Sequence, residues 1–148
     1  MGTRIVCLRR FTGSDSPDEL TELLHRAFSP LAAMGLNCTC VDQSVETTMR
    51  RIAVGECHAA FCDGRLVGTV TLEMPRHDAE VAWYCQPDVA SLHQFAVEPA
   101  FQGTGLGTSM LEFAEDWACR RGCAELALHT PQPARQLVQF YANHGYRS

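Results

Sequence analysis

Apolar residues recur along this chain in two rhythms, one helical and one strand-like, and their alternation lays out the elements. Leu20, Leu23, Leu24, Ala27 and Phe28 fall at the three-and-four spacing of a helix that buries one face. Just ahead of them, Ser16 offers an N-cap, Pro17 fills the first helical position and Glu19 completes a capping box. Pro30 is expected to stop that helix, and "GLNCTCVDQ" to form a loop before a second short helix capped by Ser44. Residues 4–10, "RIVCLRR", predict a strand ahead of both. The β-prone runs "ECHAAFC" and "RLVGTVTLEM" flank Asp63-Gly64, and because both of those residues tolerate positive φ the pair predicts a hairpin. Residues 75–90, with Pro75, Trp83, Tyr84 and Pro87, read as a long irregular connection of the kind that often carries function. "SLHQFAV" is then a fourth strand ended by Pro99, followed by a helix over 105–121, a strand "AELALHT" and a last helix over 133–144 with Gly145 as its left-handed cap. The order β-α-α-β-β-β-α-β-α contains no internal repeat and no low-complexity segment.

Composition narrows the class. The chain has 148 residues, 46% apolar and 20% charged, enough for one real core and too few for two, so residues 1–148 are expected to form a single domain. No apolar run approaches the roughly 20 residues a bilayer needs, and "MGTRIVCLRR" lacks the apolar centre of a signal peptide; a cytoplasmic protein with no membrane partner is expected. The 8 cysteines include no Cys-x-x-Cys, and neither Cys38 with Cys40 nor Cys119 with Cys123 has a second ligand pair at zinc spacing. They read as reduced thiols, with no metal site. All 12 basic residues are arginine, which removes a Walker lysine and a Schiff-base lysine together. A net charge of −5 without a basic run argues against a nucleic-acid partner and fits a cationic substrate.

The chemistry concentrates in "VEPAFQGTGLGTSMLEF". Glycines 103, 105 and 107 before a helix leave consecutive backbone N–H groups unshielded at its positive end, an anion cradle. The dinucleotide fingerprint fails at Thr108, and the P-loop needs a lysine. Q-x-x-G-x-G, from Gln102 to Gly107 after a strand, does fit, and here the chain resembles the GCN5-related N-acetyltransferases (GNAT). The hairpin with its Asp-Gly turn, "AELALHT" and "QFYANHGYR" follow in that family's order, covering most of the chain and most strongly residues 63–147. The resemblance implies an α/β fold of the α+β kind. Its sheet is mixed and mostly antiparallel, with splayed fourth and fifth strands and helices on both faces. It also implies direct acetyl transfer from acetyl-CoA to a primary amine of a small molecule or peptide; the alternative is a domain that binds acyl-CoA without turning it over.

Residue by residue, the resemblance implies that Gln102, Gly103, Thr104, Gly105, Leu106, Gly107 and Thr108 hold the pyrophosphate. The backbone of Phe95 and Val97 would bond the pantetheine arm, with the Phe95 amide also polarising the thioester carbonyl. Tyr141, in the family's Y-x-x-x-G-[FY] ending, would protonate the departing thiolate, or else serve as an amphipathic core tyrosine; Tyr146 is expected to pack. The base is less determined. An amine of pKa about 10.4 is mostly protonated near neutrality, at a cost on the order of 4 kcal/mol, so some group should receive its proton. Where several members of the family carry Glu at the start of the fourth strand, this chain has Ser91, and His93 on the same face, with Glu73 on the neighbouring strand, is the candidate base or relay. The family's asparagine early in the last helix aligns with Ala134. Cys57 or Cys85 as an acyl-carrying nucleophile is a weaker alternative. The acceptor is expected beside 75–90, with Trp83 or Tyr84 as walls. The family normally continues with two more strands after the position of Tyr146, and this chain reads as lacking most of them. "AELALHT" is therefore expected to be an unpaired edge, with either the chain a truncated form or a second copy covering that edge in a homodimer.

Overall fold

A computed structural model describes residues 5–35, 39–76, 79, 82–130 and 134–147. The proposed first turn of the last helix at Pro133, together with Cys38 and His77, lies outside them. Strand β1 (Val6–Arg10) is followed by helix α1 (Pro17–Ala33), the single turn α2 (Thr39–Asp42) and helix α3 (Val45–Val54). The hairpin β2 (Glu56–Cys62) and β3 (Arg65–Glu73), strand β4 (Val89–Val97), helix α4 (Leu106–Arg120), strand β5 (Glu125–Ala127) and helix α5 (Arg135–Asn143) complete the order. The sheet runs β1-β2-β3-β4-β5, antiparallel except for the parallel pair β4 and β5. Among the described residues β5 is an edge.

Local chemistry sets the element ends. The Ser16 hydroxyl accepts from the Glu19 amide at 3.2 Å and Ser44 from the Thr47 amide at 3.2 Å, so both expected caps form. Asp63 and Gly64 take φ of 50° and 78°, the left-handed pair a tight hairpin needs. Four expectations are corrected. Pro30 lies inside α1 rather than ending it: the Arg26 carbonyl, which residue 30 would have bonded, accepts the Ser29 hydroxyl at 3.0 Å, and the Met34 amide resumes the ladder to Pro30. The supposed loop before Ser44 contains α2, whose Cys40 is buried in one core with Leu20, Leu23 and Leu24. "AELALHT" pairs only over Glu125–Ala127, and β4 begins at Val89 rather than Ser91.

Helices cover both faces of the sheet. Met110, Leu111, Ala114 and Trp117 of α4, with Tyr141 of α5, pack on Val70, Leu72, Leu92 and Val97. On the other face Leu20, Leu23 and Leu24 of α1 pack on Cys57, Ala59 and Ala96. Arg26 of α1 grips Glu98, at the end of β4, with contacts of 2.7 to 3.2 Å, and so ties the strand's exit to the helical layer.

Candidate active site

Strand β4 has unlike neighbours on its two edges. It runs along β3 from Val97 to Ser91, but meets β5 only through Val89–Ser91. The Glu98 amide donates to the Val67 carbonyl on the β3 side at 2.8 Å. Successive backbone groups on a strand point to alternate edges, so the amides of Val97 and Phe95 turn away from β3, into the gap β5 has left.

A bulge sits in this part of β4. The register slips between Thr69 and Thr71, and opposite the slip Gln94 takes φ of 50°. The extra residue changes which way the strand faces. Leu92 before it and Phe95 and Val97 after it belong to the α4–α5 core, while Ala96 belongs to the α1 core. Gln94, 3% exposed, is held by its buried amide, which accepts from Gln43 Nε2 at 2.6 Å and donates to Thr71 Oγ1 at 2.9 Å. Gln43 Nε2 also reaches Thr48 Oγ1 at 2.8 Å, and the Thr48 and Thr21 hydroxyls lie 2.6 Å apart. A polar chain thus runs from α1 and α3 to the one non-glycine residue of β4 in left-handed backbone.

His93 precedes the bulge. Its Nε2 lies 2.8 Å from Ser91 Oγ and 3.4 Å from Glu73 Oε2, and Glu73 and Ser91 are direct cross-strand partners. Glu73 in turn takes Arg76 at 3.2 Å. Burial pushes the imidazole below its ordinary value; Glu73 opposes this, and Arg51 and Arg76 reinforce it. His93 is therefore neutral near pH 7, with a lone pair to accept a proton. Tyr84 stands edge-on to it at 5.3 Å, whereas Trp83 is exposed.

Tyr141, buried on α5, has its ring centre 6.1 Å from that of Phe95 and 5.7 Å from that of Tyr146. Burial, with a smaller contribution from Cys40, raises its phenol above the ordinary tyrosine value, so it keeps its proton at neutrality. The Tyr146 hydroxyl donates to Glu115 at 3.2 Å.

Ahead of α4, Gly103 and Gly105 take φ of 79° and 92°, and a Cβ on either would meet nothing within 4 Å. Gly105 is the N-cap and supplies no side-chain bond, so the first amides of α4 have no capping side chain. The loop's polar side chains are used internally. Gln102 Nε2 donates to the Val97 carbonyl at 3.2 Å, and the Thr104 hydroxyl to the Phe101 carbonyl at 2.5 Å. Thr108 Oγ1 lies 2.9 Å from His144 Nε2, while His144 Nδ1 lies 2.7 Å from the Phe140 carbonyl and must carry the ring proton; Thr108 is then the donor. A Cβ on Gly107 would meet Phe140 at 3.3 Å, so that glycine serves the contact of α4 with α5. What the loop offers a ligand is main chain, with open space before it.

His93, Phe95 and Tyr141 meet at a cavity of about 140 Å³, with Phe28, Arg51 and Thr130 among its other walls. Residues 102–108 do not line it, and neither do Glu73, Val97, Trp83 or Tyr84; Glu73 reaches the cavity only through His93. Sequence reasoning passed over Gln94, Gln43 and Arg51. A signal existed for Gln94, a long polar residue at the parity of Leu92 and Ala96; Arg51, on the polar side of a short helix, gave none. No group of three or more potential metal ligands occurs among the described residues, and no described helix is long and apolar enough to cross a membrane.

The model of the acetyltransferase (GNAT) family matches residues 18–146. An S-(2-succino)cysteine N-acetyltransferase of Bacillus subtilis (strain 168) is 28% identical over 134 residues, covering 87% of this chain and 77% of that protein. An S-alkylcysteine N-acetyltransferase of the same strain is 26% identical, over 93% and 76%. Among solved structures, a PaiA N-acetyltransferase of Thermoplasma acidophilum in complex with coenzyme A superimposes with a TM-score of 0.77 at 18% identity, covering 97% of this chain and 90% of that one, a likeness of fold.

Proposed function

This chain belongs to the GNAT family of acetyltransferases and is an N-acetyltransferase, and on that premise we propose that it moves the acetyl group of acetyl-CoA directly to the primary amine of a small molecule. One observation carries the reading: His93, Tyr141 and the Phe95 wall of the β4–β5 gap line one cavity, where burial favours the neutral imidazole and the protonated phenol. The cofactor's own residues fit it. The capless start of α4 and the empty space before Gly103 and Gly105 suit a pyrophosphate, and the amides of Phe95 and Val97 suit an extended arm lying in the gap. Gln102, Thr104 and Thr108 shape that loop from within rather than reaching outward.

Bound acetyl-CoA supplies an activated acyl carbon; the chain's residues move the protons. His93, steadied by Ser91 and Glu73, takes the proton the amine gives up as the C–N bond forms. The Phe95 amide donates to the carbonyl oxygen as it gains charge. Tyr141 gives its proton to sulfur as the C–S bond breaks, and its high pKa suits a donor that must remain protonated until then. The two Bacillus relatives are named for cysteine S-conjugates, which supports a small-molecule acceptor here.

The test is thiol release from acetyl-CoA across a panel of primary amines. Amine-dependent release is expected, and Tyr141→Phe should lower turnover by on the order of 100-fold or more while leaving acetyl-CoA affinity near wild type. Release that no amine accelerates, or a Tyr141→Phe defect confined to cofactor affinity, would overturn this assignment of roles.

A further inference from the structure

The cavity that would receive the amine is lined by a cation with no carboxylate partner among the described residues. Arg9, Arg10, Arg26, Arg76, Arg120 and Arg121 each pair with a carboxylate. Arg51 does not: among the described residues its side-chain contact is Cys40 Sγ, 4.0 Å from Nη1. It is partly buried on α3, lines the cavity with His93, and is near enough to lower that ring's affinity for a proton. A second group accompanies it. Thr130 is among the residues lining the same cavity, and its Oγ1 is buried without a hydrogen-bond partner among the described residues. Polar groups in such surroundings ordinarily find partners, and a guanidinium there favours a forked, planar anion.

We propose that Arg51 and Thr130 receive a carboxylate of the acceptor, so that the amine acetylated here is that of a small α-amino acid with an apolar side chain. This rests on the amine-acetylation reading above and names its substrate class. The cavity is lined by two unlike groups, the Arg51 guanidinium and the His93 imidazole backed by Glu73, and a zwitterion matches both: carboxylate on the guanidinium, amino group on the imidazole. Phe28, Leu92, Leu128 and Leu137 supply apolar wall for a side chain. A volume of about 140 Å³ is close to that of a cavity that holds benzene, which suits one small acceptor rather than a peptide segment. A single guanidinium with a single hydroxyl answers one negative charge; a dianionic phosphonate would call for more. The cationic acceptor suggested by net charge is thereby displaced, because the charge inside the cavity has the opposite sign to that of the whole chain.

Matched pairs test it. L-leucine, L-methionine, L-phenylalanine and S-benzyl-L-cysteine are each compared, as acceptors, with the amine lacking only the carboxylate and with the corresponding aminophosphonate. In reactive pairs kcat/KM should favour the amino acid by about 10- to 100-fold, the range of one charged hydrogen-bonded contact. In Arg51→Gln that preference should fall toward one, chiefly through KM, with Arg51→Lys restoring part of it and thermal melting confirming the fold of both. Equal use of the decarboxylated amines by wild type, a preference that survives Arg51→Gln, or better use of the phosphonates overturns the proposal while leaving amine acetylation standing. If no amine in any arm releases thiol although acetyl-CoA binds, the acetylation reading itself fails and the proposal with it.

Discussion

Gln94 offers a sharp test of how the site is built, because two opposing energies meet at one residue. Gln94→Ala removes two buried hydrogen bonds, at 2.6 Å to Gln43 and 2.9 Å to Thr71, and leaves their partners short of a mate. At about 1 kcal/mol for each bond, plus part of the desolvation left uncompensated, the loss is about 2–4 kcal/mol, or about 4–16 °C in melting temperature for a chain of this size. Gln94→Gly loses the same bonds but relieves a backbone held at φ 50°. In an ordinary strand glycine is worse than alanine by about 0.5–1 kcal/mol; here it should be better by about 1 kcal/mol. Urea and thermal unfolding of the two variants beside wild type give both numbers. Glycine less stable than alanine at this position would show that the left-handed bulge does not exist in solution. An alanine variant within about 0.5 kcal/mol of wild type would show that the polar chain does not hold it.

Two further outcomes follow from the site. Gly105→Val places a branched Cβ at φ 92° in space the protein leaves empty, so acetyl-CoA affinity by calorimetry should fall at least tenfold and melting should drop by a few degrees; unchanged affinity in the folded variant would remove the loop from the cofactor site. For His93, whose folded pKa is depressed mainly by burial, kcat/KM should rise with pH through a midpoint below about 6.5 and lose that limb in His93→Gln. The stability sign agrees: the unfolded chain binds the proton more readily, so this residue's contribution is present above about pH 6.5 and is lost as pH falls through the folded value. A limb below 6.5 that survives unchanged in His93→Gln would show that the imidazole is not the base; a further rise near the acceptor amine's own pKa belongs to the amine.

What was legible in the sequence is what local chemistry decides. Ser16, Ser44 and Asp63-Gly64 announce caps and a turn because the bonds that make them lie within a few residues. That the glycine loop precedes a helix and that Tyr141 lies on the last helix were readable through spacing and family pattern. Pro30 misled because a neighbouring hydroxyl and continued burial, with Leu31 6% exposed, outweigh one missing amide. The parting of the fourth and fifth strands was legible only through the family pattern, and the early end of β5 was not legible at all, because "AELALHT" looks equally β-prone on both sides of Ala127. Arg51 acquires meaning only when α3 folds over the cavity, and Gln94 only when Gln43, far away in sequence, closes on it.

The cavity takes its walls from helices on opposite sides of the sheet, Phe28 and Arg51 from α1 and α3, Leu137 and Tyr141 from α5. A sheet ordinarily partitions a protein. Here the parted strands turn the partition into a septum with a slot, and reactants approaching from its two sides would come together inside it without sharing a doorway. Neither would then have to clear the way for the other, and a leaving product need not retrace its partner's route. The parting of β4 from β5 would in this way govern traffic as much as bonding.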